Sequence, residues 1–186
     1  WPTYRAFSAI EKEPHTIRWI DGFDKQSTFW DIGANVGVFS LYATATKNAK
    51  VLSFEPSASN YSVLNRNIEL NGFDHKITAF LLALSDQTGI NKLHLNTTVA
   101  GNTGGQLGED RGAPTVFRQG CLGYSIDQFV QDFSPPLPRY IKVDVDGLEL
   151  SILKGASETL KNPNVEEITL EFGTDSPEFQ EAQALL

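Results

Sequence analysis

The chain has 186 residues, 40% apolar and 20% charged, and a net charge of −8. This suits one globular domain with a real core and argues against global disorder, while the negative surface repels phosphate backbones and makes nucleic acid a poor partner. No apolar run approaches the roughly eighteen residues of a membrane span, no leader is visible, and Cys121 alone forms neither an internal disulfide nor a structural zinc site.

The first 25 residues read as helical cover: "YRAFSAIEK", then "HTIRWIDGF" after Pro14, closed by Gly22. Ser27 to Ile32 is a short β-rich run. Val36 to Ala45 follows as a helix with Phe39, Tyr42 and Ala43 on its apolar face. "KVLSFEP" is a buried strand ended by Pro56. "SNYSVLNRNIELNG" is an amphipathic helix with Ser59 as N-cap and Asn71-Gly72 as its stop. "KITAFLLALSD" reads as a third strand and "TGINKLHLN" as another after a turn. From Asn96 to Gly120 the pattern fails. Five of the twelve residues from Gly101 to Gly112 are glycine, and the stretch reads as one long functional loop.

Further on, "SIDQFV" predicts a helix with a capping box of Ser125 and Gln128. "RYIKVDVDG" is a core strand, "LELSILKGASETL" a helix and "VEEITLEF" a fifth strand. "SPEFQEAQALL" is a last helix, with Ser176 capping and Pro177 at its first position. Strands alternating with helices predict an α/β domain with a mostly parallel, doubly wound sheet and helices on both faces. The expected division is helical cover over 1–26 and a ligand-binding domain over 27–186.

In such sheets ligands sit at the carboxyl ends of strands where strand order reverses. Asp31 ends the first strand. Gly33 and Gly37 allow a tight turn and a close backbone approach to a ligand. The pattern D-x-G-x-x-x-G places Asn35 where the dinucleotide fingerprint has its middle glycine, which disfavours a pyrophosphate and suits a cationic group beside Asp31. Glu55 closes the second strand 22 residues after Gly33, placed to accept both hydroxyls of a ribose. Together these describe S-adenosylmethionine. The plain alternative is that Asp31 caps the helix and Glu55 is solvated. Ser85 and Asp86, at the next strand's end, could meet an adenine edge or be ordinary turn residues.

Period 2 places Lys142, Asp144 and Asp146 on one side of their strand. Such charges either pair internally or face a cleft. Asp144 is a candidate base or cofactor anchor, with Lys142 beside it and Glu171 as a second candidate for the same cleft. The carboxylates could hold a divalent cation, but nothing in the spacing requires a metal. His15, His75 and His94 adjoin no nucleophile motif and read as surface or satisfied residues.

The blocks "FWDIGANVGVFS", "VLSFEPSASNYSVLNRNIELNGF", "ALSDQTG", "SIDQF" and "IKVDVDGLELSILKGASETL" together resemble FkbM-type methyltransferases, over residues 28–172. The resemblance implies a Rossmann-like class I fold, S-adenosylmethionine as cofactor, and O-methylation of a sugar or natural-product hydroxyl. It implies cofactor contacts at Asp31, Gly33, Asn35, Gly37, Glu55, Ser85 and Asp86, and functional importance at Lys142, Asp144, Gly147 and Glu149. Asp146 stands where family members often carry Glu. The full fold also has an antiparallel strand pair after the fifth strand, and here only a short helix follows. With no methionine even at position 1, the chain is expected to be incomplete at one or both ends. A nicotinamide oxidoreductase shares the fold and the acidic ribose residue but not the glycine fingerprint, and a non-catalytic binding module is a third reading. The expected acceptor is a small molecule or saccharide, with no nucleic-acid or membrane partner, and the lone cysteine points to a cytoplasmic location.

Overall fold

Alternation along the first strands decides the layering. In the computed structural model, which describes residues 13–108, 112, 114–171 and 177–186, β1 (Thr28–Ile32) pairs in parallel with β2 (Lys50–Phe54) and β8 (Tyr140–Val143). Phe29, Val51 and Tyr140 share one face, while Trp30, Leu52 and Ile141 share the other. Both faces are therefore apolar, as a parallel sheet covered on two sides requires. With β3 (Ile77–Phe80) and β9 (Glu167–Leu170) added, the sheet has the order β3-β2-β1-β8-β9, all parallel. Strand order reverses between β1 and β8.

One face packs against α1 (Pro14–Asp21), α2 (Val38–Lys47) and α3 (Ala58–Asn71), through Ile20, Phe39, Ala43, Leu64 and Ile68. The opposite face packs against α4 (Ile126–Phe133) and α5 (Glu149–Lys154), through Ile126, Phe129 and Ile152. The ring of Phe129 lies 5.2–6.0 Å from those of Trp30, Phe54, Phe80, Tyr124 and Phe133. The last helix, α6 (Pro177–Leu185), packs on α5 and is tied to it by a 2.8 Å Lys154–Glu181 ion pair.

A second sheet was not foreseen in the sequence. Its order is β4-β7-β5-β6, from β4 (Ala83–Ser85), β5 (Gly89–Leu95), β6 (Gln106–Leu107) and β7 (Phe117–Ser125). β4 pairs in parallel with β7, whereas β5 runs antiparallel to both β6 and β7. The single strand read in "KITAFLLALSD" is thus two strands in different sheets, broken at the exposed Leu81. Part of the expected loop from Asn96 to Gly120 is β6 and the start of β7. With Gly120 and Gly123 inside it and Cys121 as its buried apolar side chain, β7 lacks the apolar alternation that marks a strand.

Other boundaries shift for local reasons. Ser57, not Ser59, is the N-cap of α3, and Gly72 ends that helix in the left-handed conformation. Ser125 Oγ accepts from the Gln128 N–H at 3.2 Å, but the Gln128 side chain donates to Asp132 and not back to Ser125, whose own N–H goes to Thr88 Oγ1. The helix expected over "LELSILKGASETL" stops at Lys154, Gly155 packs directly on the Ser85 carbonyl, and a short 3-10 turn (Thr159–Lys161) follows. The Asp127 carboxylate holds that turn through the N–H groups of Glu158 and Thr159. The N-terminal helix read in "YRAFSAIEK" and the cap at Ser176 lie outside the described residues. Among the described residues, no helix is long and apolar enough to cross a membrane.

Phe129→Ala would leave a void bounded by five rings. The expected loss is about 3–5 kcal/mol of unfolding free energy, read as a lower urea midpoint with unchanged slope.

Candidate functional site

The carboxyl ends of β1, β2 and β8 are laced together by backbone hydrogen bonds. Gly33 N and Ala34 N donate to the Phe54 carbonyl at 3.0 Å, and Asp144 N donates to the Ile32 carbonyl at 3.0 Å. Gly33 and Gly37 have φ of 80° and 86°, a region that glycine enters without penalty. The space beside them is filled by protein. A Cβ on Gly33 would overlap the Asp144 carbonyl oxygen, and one on Gly37 would overlap Leu64 Cδ1. The tight turn is as expected, and a side chain at either glycine would overlap neighbouring chain.

Above this junction opens a cleft with about 1280 Å³ of free space, part of it open to solvent. Gly33, Asn35, Glu55, Lys142 and Asp144 line it, and Leu93, Leu95 and Leu107 of the second sheet supply an apolar wall. Asp31, Gly37, Ser85, Asp86 and Glu171 are not on its wall.

Asp31 lies under the turn and is wholly buried. Its Oδ2 accepts from Ser40 Oγ at 2.5 Å, and Ser40 Oγ is 2.8 Å from Ser53 Oγ. Burial pushes the Asp31 carboxyl above its ordinary range, against the opposing pull of Lys142. In the sheet Asp31 sits between Ser53 and Lys142, so the three form one polar row beneath α2. Lys142, 3% exposed, places Nζ 4.9 Å from the centre of the Phe39 ring and 2.6 Å from Asp144 Oδ2.

β8 ends at Val143, so Asp144 and Asp146 lie on the turn beyond it and do not continue a strand face with Lys142. Asp146 instead accepts from Gly104 N at 2.5 Å. Glu149 is buried, its carboxyl is raised by that burial, and it accepts from the backbone N–H groups of the same turn, holding the turn in shape. Glu171 hydrogen-bonds Asp144, and the shared proton with partial burial pushes the Glu171 carboxyl up to about 7.

Glu55 is 5% exposed. Its Oε2 accepts from Asn35 N at 2.8 Å, and its Oε1 from Ser57 N at 2.8 Å and Asn60 Nδ2 at 3.4 Å. Burial pushes its pKa up to about 7 although these donors favour the ion. A carboxylate has about four lone-pair sites, so three donors leave Oε2 able to accept another.

Ser85 Oγ donates to the Gln87 carbonyl, and Asp86 accepts from Ser151 Oγ at 2.7 Å. Both side chains are occupied in the turn. Of the histidines, His94 is buried in β5 while His15 and His75 are exposed, and none lines the cleft. Among the described residues no group of three or more His, Cys, Asp or Glu is arranged to hold a metal ion.

Residues 31–186 match the family model described as the methyltransferase FkbM domain. The chain belongs to the FkbM methyltransferase family. The FkbM chain is 32% identical over 154 residues to methyltransferase sdnD of Sordaria araneosa, covering 69% of this chain and 60% of that one. It is 26% identical over 152 residues to the hexuronic acid methyltransferase AglP of Haloferax volcanii, covering 82% and 59%. It therefore spans about 60% of the length of these curated relatives. Among solved structures, a precorrin-6y C5,15-methyltransferase from Geobacter metallireducens superposes with a TM-score of 0.54 at 14% identity, over 94% of this chain and 68% of that one. The fold is the class I methyltransferase fold.

The expected functional loop closes over the cleft in this FkbM domain, but the residues that tie it down went unread in the sequence. The segment 96–105 straps the cleft. Asn35 Nδ2 and Asn60 Nδ2 both donate to the Asn102 carbonyl, at 3.1 and 3.2 Å, and Gly101 N donates to Asn60 Oδ1 at 2.9 Å. Asn60 so links Glu55 to the strap. Its only sequence signal is its place five residues after Glu55, in the first turn of α3.

The fold raises the Glu171 pKa to about 7, so the stabilisation from its proton is full below its ordinary value of 4.5 and is lost as pH rises from there through about 7. Glu171→Gln keeps the neutral form at every pH. The variant's urea midpoint should match the parent near pH 4 and exceed it at pH 8.5. A constant difference across that range would show that the shared proton is absent.

Proposed function

We propose that the chain is an S-adenosylmethionine-dependent methyltransferase that methylates a hydroxyl of a small molecule or saccharide. The observation that carries this reading is Glu55, buried at the end of β2 beside the Gly33 turn, lining the cleft with acceptor capacity to spare. Asn35 Oδ1 is a second buried acceptor, with no hydrogen-bond partner, on a residue of the same wall. Acceptors waiting in a cleft suit a ligand that brings donors, as ribose hydroxyls and an ammonium group do. The family supports the same cofactor. The hexuronic acid in the name of the Haloferax relative supports a sugar acceptor.

The cofactor would bring a methyl group already activated for transfer, so the protein's part is mainly placement. Glu55 would take the ribose, the backbone at Gly33 and Asn35 would border the cofactor, and the apolar wall of Leu93, Leu95 and Leu107 would shield it from water. Asp31 and Gly37 would shape the turn from beneath, while Ser85 and Asp86 would fix the β4 end from outside the cleft. Asp144, held by Lys142 and coupled to Glu171, would receive the proton of the acceptor hydroxyl.

The decisive measurement is calorimetric titration with S-adenosylhomocysteine, with NAD(H) in parallel. Binding of the first alone in the micromolar range, about −8 kcal/mol, is expected. Glu55→Ala should weaken it about 10- to 100-fold, the worth of a charged hydrogen bond. NAD(H) binding alone would replace this reading with the oxidoreductase one. Once an acceptor is found, kcat should rise as pH climbs through about 7, where the Asp144–Glu171 pair gives up its proton, and the rise should flatten in Glu171→Gln.

A further inference from the structure

The loop that carries Glu55 into the cleft is held from the second sheet by one side chain. Gln119 lies on β7 opposite Leu93 of β5. Its Oε1 accepts from Ala58 N at 2.9 Å, and its Nε2 donates to the Pro56 carbonyl at 2.7 Å. One amide therefore grips both sides of Ser57, whose own N–H donates to Glu55 Oε1.

Only a primary amide of this length satisfies both contacts. A carboxylate would set an oxygen against the Pro56 carbonyl, and an apolar side chain would leave both backbone groups without this partner. Ser57 does not cap α3 with its own hydroxyl, which is paired with Ser59 Oγ at 3.0 Å. Gln119 also belongs to the same sheet as Leu93, Leu95 and Leu107, so the clamp sets the apolar wall in register with the acidic end of the cleft.

We infer that Gln119 is a positioning residue for the Glu55 carboxylate, aiming the Ser57 N–H at it and fixing its distance from the apolar wall, and so tuning the ribose end of a bound cofactor. The inference rests on the cofactor reading above, but the clamp and its effect on Glu55 can be measured without any ligand.

The Ser57 N–H is one of the donors that favour the Glu55 ion against burial, and Asp31 opposes ionisation from β1. On β7, Cys121 feels the Glu55 charge. Loosening the clamp weakens the Ser57 donor alone among these groups. The titration of Glu55 should then move up in pH.

The test follows the Glu55 carboxyl by carbon-13 NMR titration in ligand-free protein, alongside S-adenosylhomocysteine binding from pH 5.5 to 8.5. In Gln119→Met, of the same length without hydrogen bonds, the Glu55 midpoint should rise by roughly 0.5–1 pH unit. Binding at pH 7 should weaken about two- to fivefold, as the ionised fraction of Glu55 falls, and recover toward pH 8.5. Gln119→Asn, one methylene too short to bridge both groups, should do the same and serves if the methionine variant does not fold. An unmoved Glu55 midpoint overturns the inference, whether or not affinity falls, since a purely structural clamp would weaken binding equally at every pH. If the parent protein fails to bind S-adenosylhomocysteine while the Glu55 midpoint still moves, the cofactor reading fails and the positioning of Glu55 stands.

Discussion

The ion pair between buried Lys142 and half-buried Asp144, with Asp31 in the neighbouring strand, is the constraint around which this domain is arranged. Lys142 and Asp31 sit at equivalent positions of adjacent strands, both out of water, beneath a helix that offers them Ser40 and the Phe39 ring. Taking such charges out of solvent is costly, and the pair is tolerable only because each finds a partner within hydrogen-bond distance. The consequence is geometric. Asp144 must turn back toward Lys142, and its backbone must press on Gly33, where no side chain fits. The glycine turn, the end of β8 and the first turn of α2 are therefore one unit.

On that unit the second sheet builds the rest of the cleft. The strands of the main sheet bring acidic side chains to one rim, while β5 and β6 bring leucines to the opposite wall. Gln119 joins the two from one side and the strap over residues 101–104 joins them from another, through Asn35, Asn60 and Asp146. Apart from the Asp146 carboxylate, both connections use neutral amides or backbone groups.

The main sheet was legible in the sequence because its strands are short apolar runs separated by helices with clear periodicity, and because Gly33, Glu55 and Asp144 fall at strand ends. The second sheet was not. β7 carries Arg118, Gln119, Gly120 and Gly123 and buries little, so it has no pattern to read, and its pairing with β4 and β5 is a contact over distance that no local window contains. The same holds for Ser85 and Asp86, which look like a ligand edge in the strand pattern but whose side chains are taken up within the turn and by Ser151 on α5. What crowds Gly33 and Gly37 was hidden for a related reason. A glycine that admits a ligand and one that admits a neighbouring backbone are identical in sequence, and only the packed structure tells them apart.

Two carboxyls, Glu55 on the cleft wall and Glu171 behind Asp144, share a physical condition. Glu55 is brought to about 7 by burial against its amide donors, and Glu171 to about 7 by a proton shared with Asp144. Groups poised near neutrality respond to small changes in their surroundings, such as the loss of one donor or the arrival of a hydroxyl. A cleft built this way discriminates by hydrogen bonding more than by fit. A ligand with hydroxyls in the right places completes acceptors that burial has left short, while an analogue without them leaves those acceptors unpaired in a dry wall, a far larger penalty than a lost apolar contact.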